Sequence, residues 1–115
     1  MMTEAIFVIK KMFGFLKKLF SGSPSVDLDA LIKAGAYLVD VRSKAEFASG
    51  HVKGSVNIPL DTLSSNLSKF KGKDAIIVFC RSGNRSSMAK AILEQNGFNN
   101  VVNGGSWTNV NQYVN

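Results

Sequence analysis

Cysteine, histidine and proline are scarce in this chain of 115 residues: it holds one cysteine (Cys80), one histidine (His51) and two prolines. A single cysteine excludes an internal disulfide. One cysteine with one histidine also argues against a Cys/His zinc site, which needs four ligands or three and a water. Acidic residues are few as well, eight against fourteen lysines and arginines, which leaves a charge of +6. An anionic partner suits that balance. There is no internal repeat and no low-complexity tract. The N-terminal apolar run, Ala5 to Ile9, is too short for the core of a secretory signal. It is also far short of the roughly 20 apolar residues of a membrane-spanning helix.

What is present suffices for one folded domain. Apolar residues make up 45% and charged residues 19% of the chain, a globular composition. A chain of this length buries roughly two thirds of its unfolded surface and needs no disulfide or metal to fold.

The charge is uneven. Residues 1–20 hold Lys10, Lys11, Lys17 and Lys18 against Glu4, half of the net charge in about a fifth of the chain. At about 100° per residue the lysines share one arc. Ile6, Val8, Ile9, Met12, Phe13, Phe15, Leu16, Leu19 and Phe20 cover the other. This basic amphipathic segment is read as an arm for an anionic membrane surface or a protein partner. Packing of its apolar face on the domain is the alternative, and export the weakest reading. With no export signal, the expected location is cytoplasmic, with membrane association through the arm as an option. The breaker-rich residues 21–25, Ser-Gly-Ser-Pro-Ser, read as a linker, leaving 26–115 as the folded domain.

In that domain helical and strand signals alternate. Ser25 can cap a helix over Val26 to Lys33 that stops at Gly35. Tyr37 to Val41 reads as a strand. Ser43-Lys44-Ala45-Glu46 is a capping-box pattern opening a short helix that ends at Gly50. Val56 to Ile58 is a short strand, and leucines at 60, 63 and 67 suggest a helix from Leu60 to Phe70. Ala75 to Phe79 is a continuous apolar run, as expected of a strand covered on both faces. Ser86 to Gln95 reads as a helix, and Val101-Val102 as a last short strand. The fold class implied is α/β, a mainly parallel sheet with helices on both faces.

Chemistry concentrates in Cys80-Arg81-Ser82-Gly83-Asn84-Arg85-Ser86. A buried strand ends at the one thiol, a polar turn with a glycine follows, and a helix begins. Ligands in open α/β sheets bind outside the carboxyl ends of strands. Helix N-termini direct free N–H groups at that spot, and Gly83 lets successive N–H groups converge as an anion nest. With Arg81 and Arg85 beside it, Cys80 is expected to be a nucleophilic thiolate near neutral pH. A lone cysteine at a strand end is ordinarily a small buried hydrophobe; the two arginines and the glycine turn reverse that reading.

The same seven residues resemble the active-site loop of rhodanese-type sulfurtransferases. Asp40-Val41-Arg42, Glu46-Phe47 and Gly50-His51-Val52-Lys53-Gly54-Ser55-Val56-Asn57-Ile58-Pro59 match the first half of that family's pattern in order. Gly97-Phe98, Val101, Gly104-Gly105 and Trp107 match its end. The resemblance spans about residues 26–110 and implies a rhodanese-like domain without cofactor or metal. It further implies a Cys80 that cycles through a persulfide. Cys80 would attack the outer sulfur of a donor such as thiosulfate, and a thiophilic acceptor (cyanide, a thiol or a protein cysteine) would take the sulfur. The N–H groups of residues 81–86 would hold the terminal sulfur, with Arg81, Ser82, Gly83, Asn84, Arg85 and Ser86 forming the donor site.

Other positions read as supporting. Asp40 would pair with an arginine or cap loop N–H groups, and Arg42 and Glu46, four apart, suggest a local ion pair. His51 is placed in a fold-determining turn rather than in catalysis, and Trp107 as a core or rim anchor. Two rival functions remain. Phosphatase or arsenate-reductase relatives of the fold carry five residues between cysteine and arginine, whereas Cys80 and Arg85 enclose four, which favours sulfur. A non-enzymatic docking module is opposed by the intact loop. Nucleic-acid binding rests on charge alone, without a motif or aromatic–basic interleaving, and is not expected.

Overall fold

Asp27 opens the first helix. Its carboxylate accepts the Ala30 N–H at 3.0 Å, and helix α1 runs Leu28–Lys33. Ser25, the expected cap, and the basic arm lie outside the residues that this computed structural model describes, 27–115. Strand β1 (Tyr37–Asp40) is followed by helix α2 (Lys44–Ala48), where the capping box is present as expected: Ser43 Oγ accepts the Glu46 N–H, and Glu46 reaches back to Ser43 N–H. Then come β2 (Val56–Asn57), β3 (Ile76–Cys80), helix α3 (Asn84–Gln95), β4 (Val101–Ser106) and helix α4 (Trp107–Asn111). The strands pair in the order β2-β1-β3-β4, each pair parallel.

Two apolar layers sandwich the sheet. Val39, Val41, Ile76, Val78, Cys80 and Val101 pack with Leu63, Phe70, Ala89 and Leu93. Leu38, Ile77, Phe79 and Val102 pack on the other face with Leu31 of α1 and Val110 of α4. Every residue of β3 is buried, which is why its sequence is an unbroken apolar run. Helices on both faces of a parallel sheet follow, as the alternating pattern implies.

Two expectations need correction. Residues 60–70 form two 3-10 turns, Leu60–Ser65 and Leu67–Phe70, rather than one α-helix. Thr62 Oγ1 donates to Pro59 O and Asn66 Nδ2 to Thr62 O, so polar side chains bond the carbonyls that a longer helix would use. The end of the chain is also more ordered than two valines suggest. β4 continues through Gly104-Gly105, and Ser106 caps α4 by accepting Asn109 N–H at 3.1 Å. A Cβ at Gly104 would lie 2.7 Å from Val110 Cγ2 and 2.9 Å from Ile77 Cγ2. Only glycine lets α4 close on the sheet there.

The β3–β4 register sets up the site. Val78 pairs with Asn103 and Cys80 with Ser106, so β4 carries one extra residue at the glycine pair. Paired residues in a parallel sheet share a face. Asn103 therefore stands on the α3 face, with Val78 and Cys80.

Candidate functional site

Cys80 ends β3 fully buried, with 0% of its surface exposed. Gly83 holds φ at 97°, in the left-handed region that glycine enters without a steric cost. That turn aims the Gly83 N–H at Cys80 Sγ, at 3.0 Å. Ser86, in the first turn of α3 and buried, places Oγ 3.5 Å from the same sulfur. Burial pushes the Cys80 thiol up. It is outweighed by hydrogen bonding with the Ser86 side chain and with the Ser86, Ser82 and Gly83 N–H groups, so the thiol stands below its ordinary value. The chemical result is a buried sulfur whose anion is favoured by oriented donors.

The arginines of the loop differ. Arg81 is exposed and makes no ion pair among the described residues. Arg85 meets Glu46 of α2 in a two-pronged pair, Nη1–Oε1 at 2.7 Å and Nη2–Oε2 at 3.0 Å. Arg85 and the Ser43 N–H hold the Glu46 carboxyl at about 2. The expected Arg42–Glu46 pair is therefore corrected: Glu46 belongs to Arg85, tying α2 to the start of α3. Arg42 bonds Asp40 instead, Nε at 2.9 Å from both oxygens and Nη2 at 2.6 Å from Oδ2. A buried strand end puts Asp40 two residues from Arg42, where a helical spacing of four does not apply. Asp40 also accepts the Arg42 N–H at 3.0 Å, and Arg42 Nη2 donates to Gly50 O at 2.7 Å.

Ser82 and Asn84 are exposed beside the loop. His51 stacks on Phe47 with centroids 3.8 Å apart, and its Nδ1 lies 2.9 Å from Phe47 O. These contacts belong to the turn between α2 and β2 and not to the cysteine loop. Trp107 packs against the second apolar layer and carries the Arg42 guanidinium 4.7 Å above its ring, an anchor. Among the described residues no group of three or more His, Cys, Asp or Glu could hold a metal ion. No helix there is long and apolar enough to cross a membrane.

Asn103 was not visible as a site residue. Its Oδ1 accepts Ser86 Oγ at 2.7 Å and the Gly105 N–H at 2.9 Å, and its Nδ2 donates to Gly83 O at 3.2 Å. The Asn-Gly dipeptide signals a turn. Only the strand register shows that the side chain reaches the loop.

The geometry can be set beside known proteins. Residues 25–112 match the model of the rhodanese-like domain. The chain is 35% identical over 88 residues to thiosulfate sulfurtransferase GlpE of Pseudomonas savastanoi, covering 75% of this chain and 83% of that one. It is 32% identical over 74 residues to thiosulfate sulfurtransferase PspE of Escherichia coli, covering 63% and 71%. The human single-domain sulfurtransferase TSTD1 superposes with a TM-score of 0.65 at 29% identity, covering 76% of this chain and 95% of that one. Other relatives are longer: the chain spans 36% of one Bacillus subtilis protein and 62% of an Allochromatium vinosum sulfurtransferase. The parallel sheet, the cysteine loop and the match over 25–112 agree, and the chain belongs to the rhodanese-like domain family.

Proposed function

We propose that this protein is a sulfurtransferase that carries sulfane sulfur on Cys80. The carrying observation is the buried Sγ at the end of β3, 3.0 Å from the Gly83 N–H and 3.5 Å from Ser86 Oγ. A small anionic donor such as thiosulfate approaches the loop, drawn by Arg81. The Cys80 thiolate attacks its outer sulfur, the S–S bond breaks, and sulfite leaves with the bonding pair. The product is a Cys80 persulfide whose terminal sulfur is an anion, for which the N–H groups of residues 81–86 are suited donors. A cyanide, thiol or protein-cysteine acceptor then attacks that sulfur and returns the thiolate. Every electron pair stays on sulfur or on the acceptor, so the residues of the loop suffice.

Arg85 supports the loop more than it clamps substrate, because both prongs of its guanidinium are engaged by Glu46. That engagement, together with the four-residue spacing, favours sulfur over phosphoryl transfer. Intact-mass measurement after thiosulfate treatment tests the reading. One added sulfur on Cys80, removed by cyanide with thiocyanate appearing and absent in Cys80→Ser, supports it. An unchanged mass with several sulfur donors overturns it.

A further inference from the structure

We propose that Asn103 is a positioning residue that governs the reactivity of Cys80 by holding the hydroxyl proton of Ser86. This rests on Cys80 being the reacting thiol, and it deepens that reading by naming what sets the proton balance of the sulfur.

Proton supply around the sulfur is limited. Gly105 N–H is only a donor and Gly83 O only an acceptor, so the Asn103 amide has one workable orientation. Oδ1 faces Gly105 and Ser86, and Nδ2 faces Gly83 O. Ser86 has a single hydroxyl proton. At 2.7 Å from Asn103 Oδ1 that proton is committed to the amide, and Ser86 offers the sulfur a lone pair. That hydroxyl orientation, unlike the loop N–H groups, suits a neutral thiol, whose S–H can donate to Ser86 Oγ across 3.5 Å. A sulfur anion needs the opposite. Ser86 must turn its proton to the sulfur and leave Asn103 Oδ1 with the Gly105 N–H alone. Asn103 thus competes with the sulfur anion for one proton, while its other arm tethers the Gly83 carbonyl.

The charged groups around this site lie outside the Ser86–Asn103 hydrogen bond. Arg81 stands on the loop, Arg85 on α3 is paired with Glu46 of α2, and Asp40 at the end of β1 is paired with Arg42. None touches the Ser86 hydroxyl or the Asn103 amide by a hydrogen bond among the described residues.

The test is the pH profile of Cys80 alkylation by iodoacetamide, read in the whole protein and independent of any sulfur donor. Ser86→Ala removes the donor and slows alkylation on the acid limb by about tenfold. Asn103→Ala releases the Ser86 proton to the sulfur and speeds it by about threefold. Asn103→Asp, a stronger acceptor with a negative charge, slows it. In the Ser86→Ala background the gain from Asn103→Ala disappears, because the effect runs through Ser86. An Asn103→Ala profile that is unchanged or slower overturns the proposal, as does a gain that survives without Ser86. Failure of thiosulfate to add sulfur to Cys80 would instead strike at the proposed sulfur transfer, and the alkylation profile distinguishes the two.

Discussion

Two arginine–carboxylate pairs stand at the carboxyl edge of the sheet, and their surroundings give them different work. Asp40 and Arg42 are 0% and 4% exposed. Their charges are satisfied on several sides: by each other, by the Arg42 N–H, by Gly50 O and by the Trp107 ring. Glu46 and Arg85 meet with equally good geometry, but their side chains are 32% and 37% exposed. In a dry site, removing one partner strands a charge. At a wet rim water replaces it. The first pair therefore fixes the end of β1 and the turn at Gly50. The second ties α2 to α3 and can be changed without unfolding the domain.

Asp40→Ala gives the largest expected effect. It leaves the Arg42 guanidinium buried and unpaired, at a cost of about 3–5 kcal/mol, a large part of what a domain of this size has. Denaturant unfolding measures it. The double variant Asp40→Ala/Arg42→Ala loses less than the sum of the single losses, because no lone charge stays behind. A loss under about 1 kcal/mol for Asp40→Ala would erase the contrast between the two pairs.

Glu46→Gln probes the rim pair and is expected to be milder. Glutamine still completes the capping box with Ser43, so the change isolates the bond to Arg85. The expected loss is about 0.5–1 kcal/mol at neutral pH. The pH dependence carries the sign. The Glu46 carboxyl is held at about 2, below its ordinary 4.5. A group depressed in the folded state stabilises it fully above its ordinary value. That contribution is lost as pH falls from about 5 toward 2. The wild type therefore loses stability over that window by a margin that Glu46→Gln does not show. Unfolding midpoints at pH 6, 4 and 3 would reveal it, and parallel curves for the two proteins would place the stabilising role elsewhere.

These pairs also show what the sequence could disclose. The α/β pattern, the capping box at Ser43 and the cysteine loop are local signals, written in consecutive residues, and each was legible. The pairing of Glu46 was not. A spacing of four within one segment suggested Arg42, while the true partner lies 39 positions away on α3 and is brought near only by the β1–β3 pairing. Asn103 was hidden for the same reason: its role depends on a bulged register between β3 and β4. The 3-10 turns at 60–70 failed differently. There the leucine spacing suggested one helix, but the Thr62 and Asn66 side chains bond the Pro59 and Thr62 carbonyls and tighten the turn.

The third arginine sharpens the contrast from the opposite side. Arg81 is exposed and makes no ion pair among the described residues, so nothing in the fold leans on it. Arg81→Ala is expected to leave the unfolding midpoint unchanged within about 0.5 kcal/mol. Its effect falls on encounter with an anionic donor. An exposed charge beside the loop attracts a dianion in a way that salt screens over about 10 Å at 0.1 M. The rate of sulfur loading from thiosulfate should fall about three- to tenfold at low ionic strength, and the gap should narrow as salt is raised. Arg81→Lys, which keeps the charge, should recover most of the rate. An equal deficit at low and high salt would mean that Arg81 acts by contact and not by field. A loss of stability above about 1 kcal/mol would make it a brace like Arg42, and position at the sheet edge, rather than burial, would then decide what an arginine does here.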